Sequence, residues 1–139
     1  MRRMVIPSAD GKVTEASFAL SSTDEASPLR SLSVFESERT TLEQCVAAMP
    51  EAKWSRYTLC GCLDVSSVRS LRPDPNSPVY PDLDVVWDPL EERFPGSDGH
   101  SGITGLAKPA GLDHGSTMYR SLRVQLARMA NAHGQTRLV

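Results

Sequence analysis

Apolar and polar residues alternate in two stretches on either side of a glycine-rich loop, and this pattern predicts a pair of strands. Residues 83–88, LDVVWD, place an apolar side chain at every second position, which is the period of a half-buried strand. Pro89 ends the first strand because proline cannot donate to a ladder. Residues 101–107 supply the second strand. We expect the two to pair around the loop, in the middle of one sheet, with a polar rim at the loop.

Three shorter alternating stretches predict further strands at residues 13–20, 31–35 and 55–63. We expect an N-terminal tail over residues 1–11, with a short extended piece at Met4–Ile6, a single domain over 12–133 and a C-terminal tail over 134–139.

Two helices are predicted from capping residues. Thr40 and Glu43 fit a capping box, and the helix that follows carries one apolar stripe before Pro50, formed by Leu42, Cys45, Val46 and Met49. Asp64 is placed to cap a second, short helix whose inner residues are Val65, Val68 and Leu71.

The longest predicted helix runs from about Ser116 to Ala132. It has one apolar stripe, consisting of Met118, Leu122, Leu126 and Met129, and Arg120, Arg123 and Arg128 project from the other side. Together these elements predict an α+β fold: a small, mostly antiparallel sheet with two or three helices packed on one face, the last of them docked across the sheet.

The amino-acid composition and net charge argue against several classes of function. The 139 residues are 40% hydrophobic and 23% charged, which is typical of a globular chain rather than a disordered one. The formal net charge of -2 argues against non-specific binding of nucleic acid by the chain as a whole. No apolar run approaches the ~20 residues that a membrane span requires. Three cysteines, an odd number, with no secretory segment predict reduced thiols and a cytoplasmic protein.

The order and spacing of several segments resemble a broad group of short bacterial proteins of uncharacterised function. The segments are SLSVF at 31–35, DVSSVRSL at 64–71, VVWDPL at 85–90, GITGL at 102–106 after His100, and LARMA at 126–130. The similarity covers residues 30 to 132, and the proline-rich stretch 73–81 departs from it. It implies a bacterial, cytosolic accessory protein, and it assigns no activity, cofactor or site residue.

His100 and Asp88 are the candidate catalytic residues, with Ser101 as a conceivable nucleophile. A carboxylate beside an imidazole can fix its tautomer and raise its basicity, as a general base requires. If the two strands pair, Asp88 and His100 meet at the mouth of their loop. The competing interpretation, which we favour, is that both are turn residues.

The Cys60-Gly61-Cys62 segment is a weak candidate for zinc. In a strand the two sulfurs would lie roughly 6–7 Å apart on one face, and His100, His114 or His133 would have to complete the site. We expect instead two small apolar residues facing a helix, with no metal and no cofactor.

Two surfaces could bind a partner. Arg120, Arg123 and Arg128 could contact phosphates or an acidic protein, but we favour a solvated helix face over binding of nucleic acid. Tyr80 and Trp87 could anchor a protein partner, but we favour a core strand with a tethered loop.

The leading hypothesis is a non-enzymatic protein-interaction or regulatory accessory module of a bacterial complex, for example in defence or toxin control. The alternatives are a small hydrolase or transferase that uses His100 and Asp88, and a weak nucleic-acid binder that uses the C-terminal arginine face. The identity of the partner and the oligomeric state are left open by the sequence.

Overall fold

The computed structural model describes residues 3–9, 13–20, 22–41, 43–45, 57–71, 82–91, 94–106, 116–132 and 135–137. Six strands in this part of the chain form one sheet in the order β4-β5-β2-β1-β3-β6, and every neighbouring pair is antiparallel. The strands are β1 (Arg3–Ala9), β2 (Leu32–Glu36), β3 (Tyr57–Asp64), β4 (Asp84–Trp87), β5 (His100–Thr104) and β6 (Gln135–Arg137).

The helices with described bounds are α1 (Ser22–Ala26), α2 (Val65–Arg69) and α3 (Ser116–Ala132), and 3₁₀ turns occupy Glu15–Phe18 and Ser97–Gly99. The predicted α+β class is therefore confirmed. No helix in the described ranges is long and apolar enough to cross a membrane.

The core lies on one face of the sheet. Alternate residues of the strands, including Leu63 and Ile103, are fully buried there. Both α2 and α3 pack on this face, because their inner residues belong to the same cluster; those residues are Val65, Val68, Tyr119, Leu122, Leu126, Ala127 and Ala130. The predicted bounds of α3 and the role of Leu122 and Leu126 are confirmed, while Met118 and Met129 are only partly buried against the cluster.

A glycine in β3 lets α3 approach the sheet closely. A β-carbon at Gly61 would lie 2.8 Å from Val13 Cγ2 and 3.2 Å from Ala130 Cβ, distances shorter than a well-packed core allows. Glycine at this position therefore sets the distance between helix and sheet. Gly61 faces α3, and successive residues of a strand point in opposite directions. Cys62 therefore lies on the face of the sheet opposite α3, and the prediction that it faces a helix is wrong for this helix.

The Trp87 strand and its return do pair as predicted, but at an edge. Val85 lies opposite Ile103 and Trp87 opposite Ser101, so β4 and β5 form a hairpin. The strand β4 is the terminal strand of the sheet, however, and β1 and β2 occupy its middle. The expected central position is wrong because β5 pairs with β2 on its other side, whereas β4 pairs with β5 alone among the described strands.

The segment Arg3–Ala9, predicted as part of a tail, is a strand that joins the two halves of the sheet. It pairs with β3 along its length and with β2 at Met4 and Val5. Pro7 lies beyond the residues of β1 that pair with β2. Its missing N–H therefore removes no hydrogen bond between β1 and β2. Likewise Gln135–Arg137, predicted as a C-terminal tail, pairs with β3.

The strand predicted at residues 13–20 is wrong, although its apolar residues do face the core. Glu15–Phe18 is a 3₁₀ turn that starts at Thr14. The Thr14 N–H donates to Ser17 Oγ at 3.2 Å, a local bond that competes with strand pairing. Val13 and Phe18 are nevertheless buried.

The helix after β2 begins one residue later than predicted. Gln44 Oε1 accepts from the Thr41 N–H at 2.9 Å, and Thr41 Oγ1 accepts from the Gln44 N–H at 3.2 Å, so the reciprocal box is Thr41 with Gln44. Thr40 is buried and donates its hydroxyl to the Gly96 carbonyl at 2.6 Å instead. Residues 43–45 are helical, and Cys45 is buried as expected. Leu42, Val46 and Met49 lie outside the described residues.

The short helix α2 forms as predicted and is tied to the edge strand. Asp64 caps it, because its Oδ2 accepts from the Ser67 N–H at 3.3 Å. The same oxygen also accepts from the Ser66 and Ser67 hydroxyls at 2.8 and 3.0 Å. At its other end, Arg69 Nε donates to Asp84 Oδ1 at 2.7 Å and Arg69 Nη2 donates to the Val85 carbonyl at 3.1 Å. The Arg69 hydrogen bond, followed by one from the Val85 N–H, lowers the pKa of the Asp84 carboxyl despite some loss of solvation.

Candidate functional site

His100 is held by the main chain of Asp88. Its Nδ1 lies 2.6 Å from the Asp88 carbonyl oxygen, and because a carbonyl can only accept, Nδ1 carries the hydrogen. The Asp88 N–H in turn donates to the His100 carbonyl at 3.0 Å. The imidazole also packs edge-to-face against Phe35, with ring centroids 5.4 Å apart. The ring is therefore fixed at the base of the loop between β4 and β5.

The Asp88 carboxylate is near His100 without orienting it. Its Oδ2 lies 3.9 Å from Nδ1, beyond the 2.6–3.2 Å of a direct hydrogen bond between a base and its orienting group. The side chain is 47% exposed, whereas the imidazole is 9% exposed. The predicted proximity is present, but the ring hydrogen bond goes to the carbonyl.

Ser101 does not join the pair. It follows His100 in β5, so the two side chains leave the strand on opposite faces. Ser101 is fully buried on the core face, opposite Val34 and Trp87 in the register. The three candidate residues therefore do not form the nucleophile–base arrangement of a hydrolase.

A cleft of about 250 Å³ lies elsewhere, between the first 3₁₀ turn and α3. Its lining consists of Phe18, Ala19, Leu20, Glu25, Leu106, Tyr119 and Arg123. None of the candidate catalytic residues is part of this lining. The cleft and the imidazole therefore do not combine into one site.

The arginine face of α3 is partly neutralised by a residue that the sequence analysis assigned to a strand. Arg123 Nε donates to Glu15 Oε2 at 2.8 Å, and Arg120 Nε lies 3.9 Å from Glu15 Oε1. Arg120 and Arg128 remain exposed. Two isolated guanidiniums beside a carboxylate form a poor phosphate-binding surface.

The described residues contain no group of three histidine, cysteine, aspartate or glutamate side chains that could hold a metal ion. His114, His133 and the Cys60 side chain lie outside them, as does Tyr80.

Trp87 is the exposed aromatic residue of this region, and its orientation is fixed. The indole is 51% exposed, yet its Nε1 donates to the Asp98 carbonyl at 2.5 Å. The Arg39 guanidinium lies 4.9 Å from the ring centroid, a cation–π contact of about 0.5–1 kcal/mol at an exposed position. Arg39 Nε is itself 3.2 Å from Glu36 Oε2. We call Glu36, Arg39, Trp87 and Asp98 the Trp87 surface.

The sequence analysis named Trp87 but missed the other three residues. The turn after β2 brings Arg39 to the tryptophan, and the 3₁₀ turn before β5 brings the Asp98 carbonyl. Neither contact has a local signal, because each depends on β2, β5 and β4 being neighbours in the sheet.

No protein-family model, curated protein or solved structure matches this chain. The resemblance to short bacterial proteins stays a prediction.

Proposed function

We propose that this protein is a non-enzymatic interaction module, an accessory or regulatory subunit of a bacterial complex, and that Trp87 anchors its protein partner. The observation that supports this proposal is a half-exposed indole held in one orientation by Asp98 and Arg39. A cytoplasmic complex in defence or toxin control is the setting that the sequence prediction suggests.

A fixed, exposed tryptophan is well suited to binding. Immobilising a mobile side chain in an interface costs about 0.5–1.5 kcal/mol, and here the folded protein already restrains the ring. Truncation of an interface tryptophan commonly costs ~2 kcal/mol or more of binding free energy. Within the part of the chain that the structure describes, Trp87 also projects from the terminal strand, where a partner can reach it without displacing another described strand.

The two alternative functions have weaker support. A hydrolase needs a nucleophile within reach of its base, and Ser101 and His100 are on opposite faces. A nucleic-acid surface needs several accessible cations, and Arg123 is engaged by Glu15.

Co-purification of the tagged protein from its native cell tests the proposal. The wild type should recover a defined partner, and Trp87→Ala should lose it. Leu29→Ala is the matched control, since Leu29 is an exposed large hydrophobic residue, 42% accessible, outside the Trp87 surface. It should recover the same partner as the wild type.

Circular dichroism should show that both variants keep the fold, because neither side chain is part of the core. Recovery of the same partner with Trp87→Ala would contradict the proposal, as would a wild type that is isolated alone and turns over a substrate through His100.

A further inference from the structure

We infer that the partner presents a positively charged segment to the Trp87 surface, with an arginine or lysine side chain lying on the open side of the indole. This inference depends on the proposed function and names the chemistry of the partner.

A partner contacts the indole of Trp87 through the face of the ring. Its one hydrogen-bond donor is already used by the Asp98 carbonyl, so an approaching group meets the π surface rather than a donor. That surface attracts cations because the face of an aromatic ring carries partial negative charge. Arg39 already occupies such a position within the protein, which shows that the ring environment accepts a guanidinium.

The surroundings of the ring favour the same chemistry. Asp98 is exposed beside it, Glu38 is exposed in the turn that carries Arg39, and the loop after Trp87 contributes the exposed Glu91. With Glu36, these residues supply four carboxylates against the one guanidinium of Arg39.

The charge of Arg39 is offset by Glu36, whose carboxylate lies 3.2 Å away. Among the described residues of this turn and loop, the remaining carboxylates therefore make the local potential negative. Such a surface repels phosphate backbones and acidic peptides and accelerates the association of basic ones. A basic protein segment is the occupant that fits both the indole ring and the carboxylates around it.

Fluorescence anisotropy with labelled synthetic peptides tests this inference. Three short peptides of equal length are compared: an Arg/Ser peptide, a Glu/Ser peptide and a neutral Gln/Ser peptide. The Arg/Ser peptide should bind the wild type at least tenfold more tightly than the other two, and Trp87→Ala should weaken that binding at least tenfold.

Charge variants provide the second arm. The double variant Glu38→Gln/Asp98→Asn keeps the Asp98 carbonyl and hence the indole bond. It should weaken binding of the Arg/Ser peptide severalfold and reduce its dependence on salt concentration. Glu25→Gln is the matched control, because it removes an exposed carboxylate on α1. It should bind the Arg/Ser peptide as the wild type does.

Failure of the inference can be distinguished from failure of the proposed function. If the native partner is lost with Trp87→Ala while the Arg/Ser peptide shows no preference, only the inferred charge is overturned. A single-stranded oligonucleotide or the Glu/Ser peptide binding in a Trp87-dependent manner also overturns it. If neither the native partner nor any peptide depends on Trp87, both are overturned.

Discussion

At the level of single residues, His100 shows how a buried imidazole can be held without a carboxylate. Its Nδ1 hydrogen goes to the Asp88 carbonyl and its ring edge meets Phe35. Both contacts fix the start of β5 relative to the loop that carries Asp98 and hence to the Trp87 surface. The role supported by these contacts is structural.

Replacing His100 by alanine should lower the free energy of unfolding by about 1–3 kcal/mol, because a buried hydrogen bond and an aromatic contact are lost together. Urea unfolding followed by circular dichroism measures the change. Asp88→Asn is the control: it keeps the carbonyl and should alter stability by less than about 0.5 kcal/mol. An equal loss in both variants would show that the carboxylate holds the ring.

At the level of elements, a tertiary contact decides where the helix after β2 begins. Thr40 gives its hydroxyl to Gly96 and lies against Gly99, so it is not available as a cap. The next residue, Thr41, takes that role with Gln44. A capping motif in sequence therefore fixes a helix start only to within a residue when a neighbouring loop competes for the hydroxyl.

Removal of either member of this capping box should destabilise the fold. Thr41→Ala and Gln44→Ala should each lower the free energy of unfolding, the former by about 0.5–2 kcal/mol, the usual cost of losing a helix cap. Glu43→Ala should have little effect, because Glu43 is exposed and takes no part in the box. The reverse ranking in urea unfolding would favour a box of Thr40 and Glu43.

The elements that could be predicted are those with local signals. The helix α3 has a continuous apolar stripe, and α2 has Asp64 followed by apolar residues at helical spacing. The strand β6 has only three residues, and both β1 and β6 pair with β3 across long sequence separations, so alternation alone could not identify them. The expected strand at 13–20 failed because Thr14 and Ser17 satisfy each other locally.

Part of the candidate site could also be predicted from the sequence. The meeting of Asp88 and His100 followed from the hairpin. The opposite directions of His100 and Ser101 also followed from the strand period, and applying that rule would have separated them. The partners of Trp87 could not be found, since they depend on the strand order.

At the level of the whole molecule, Arg69 covers part of β4, the terminal strand of the sheet that the described residues form. The guanidinium pairs with Asp84 and also takes the Val85 carbonyl, a main-chain group that a further strand would otherwise use. A charged side chain on an edge strand opposes pairing with other chains. Binding through Trp87 and resistance to edge-to-edge aggregation are thus compatible on the same strand.

Acidification should lower the stability of the fold through Asp84. Its pKa is lower in the folded protein than in the unfolded chain, so its contribution is fully present above the unfolded pKa of about 3.9 and is lost as pH falls through the folded value. Both partners are about half exposed, and solvent screening limits the effect to about 1 kcal/mol at most.

Urea unfolding of the wild type and Asp84→Asn over a range of acidic pH values measures this contribution. The wild type should be the more stable protein at pH values above about 5, and the difference should vanish in strong acid. When both proteins also carry Arg69→Gln, the difference in stability between Asp84 and Asp84→Asn should disappear. A gap between wild type and Asp84→Asn that stays constant with pH would exclude the ionised carboxylate as its source.

The position of β1 has a consequence for how the protein is made. Arg3–Ala9 leaves the ribosome before its partners in β2 and β3 are synthesised. Contacts between distant segments slow folding, so this segment stays unpaired until its neighbours are completed. Removing it would divide the sheet between β2 and β3.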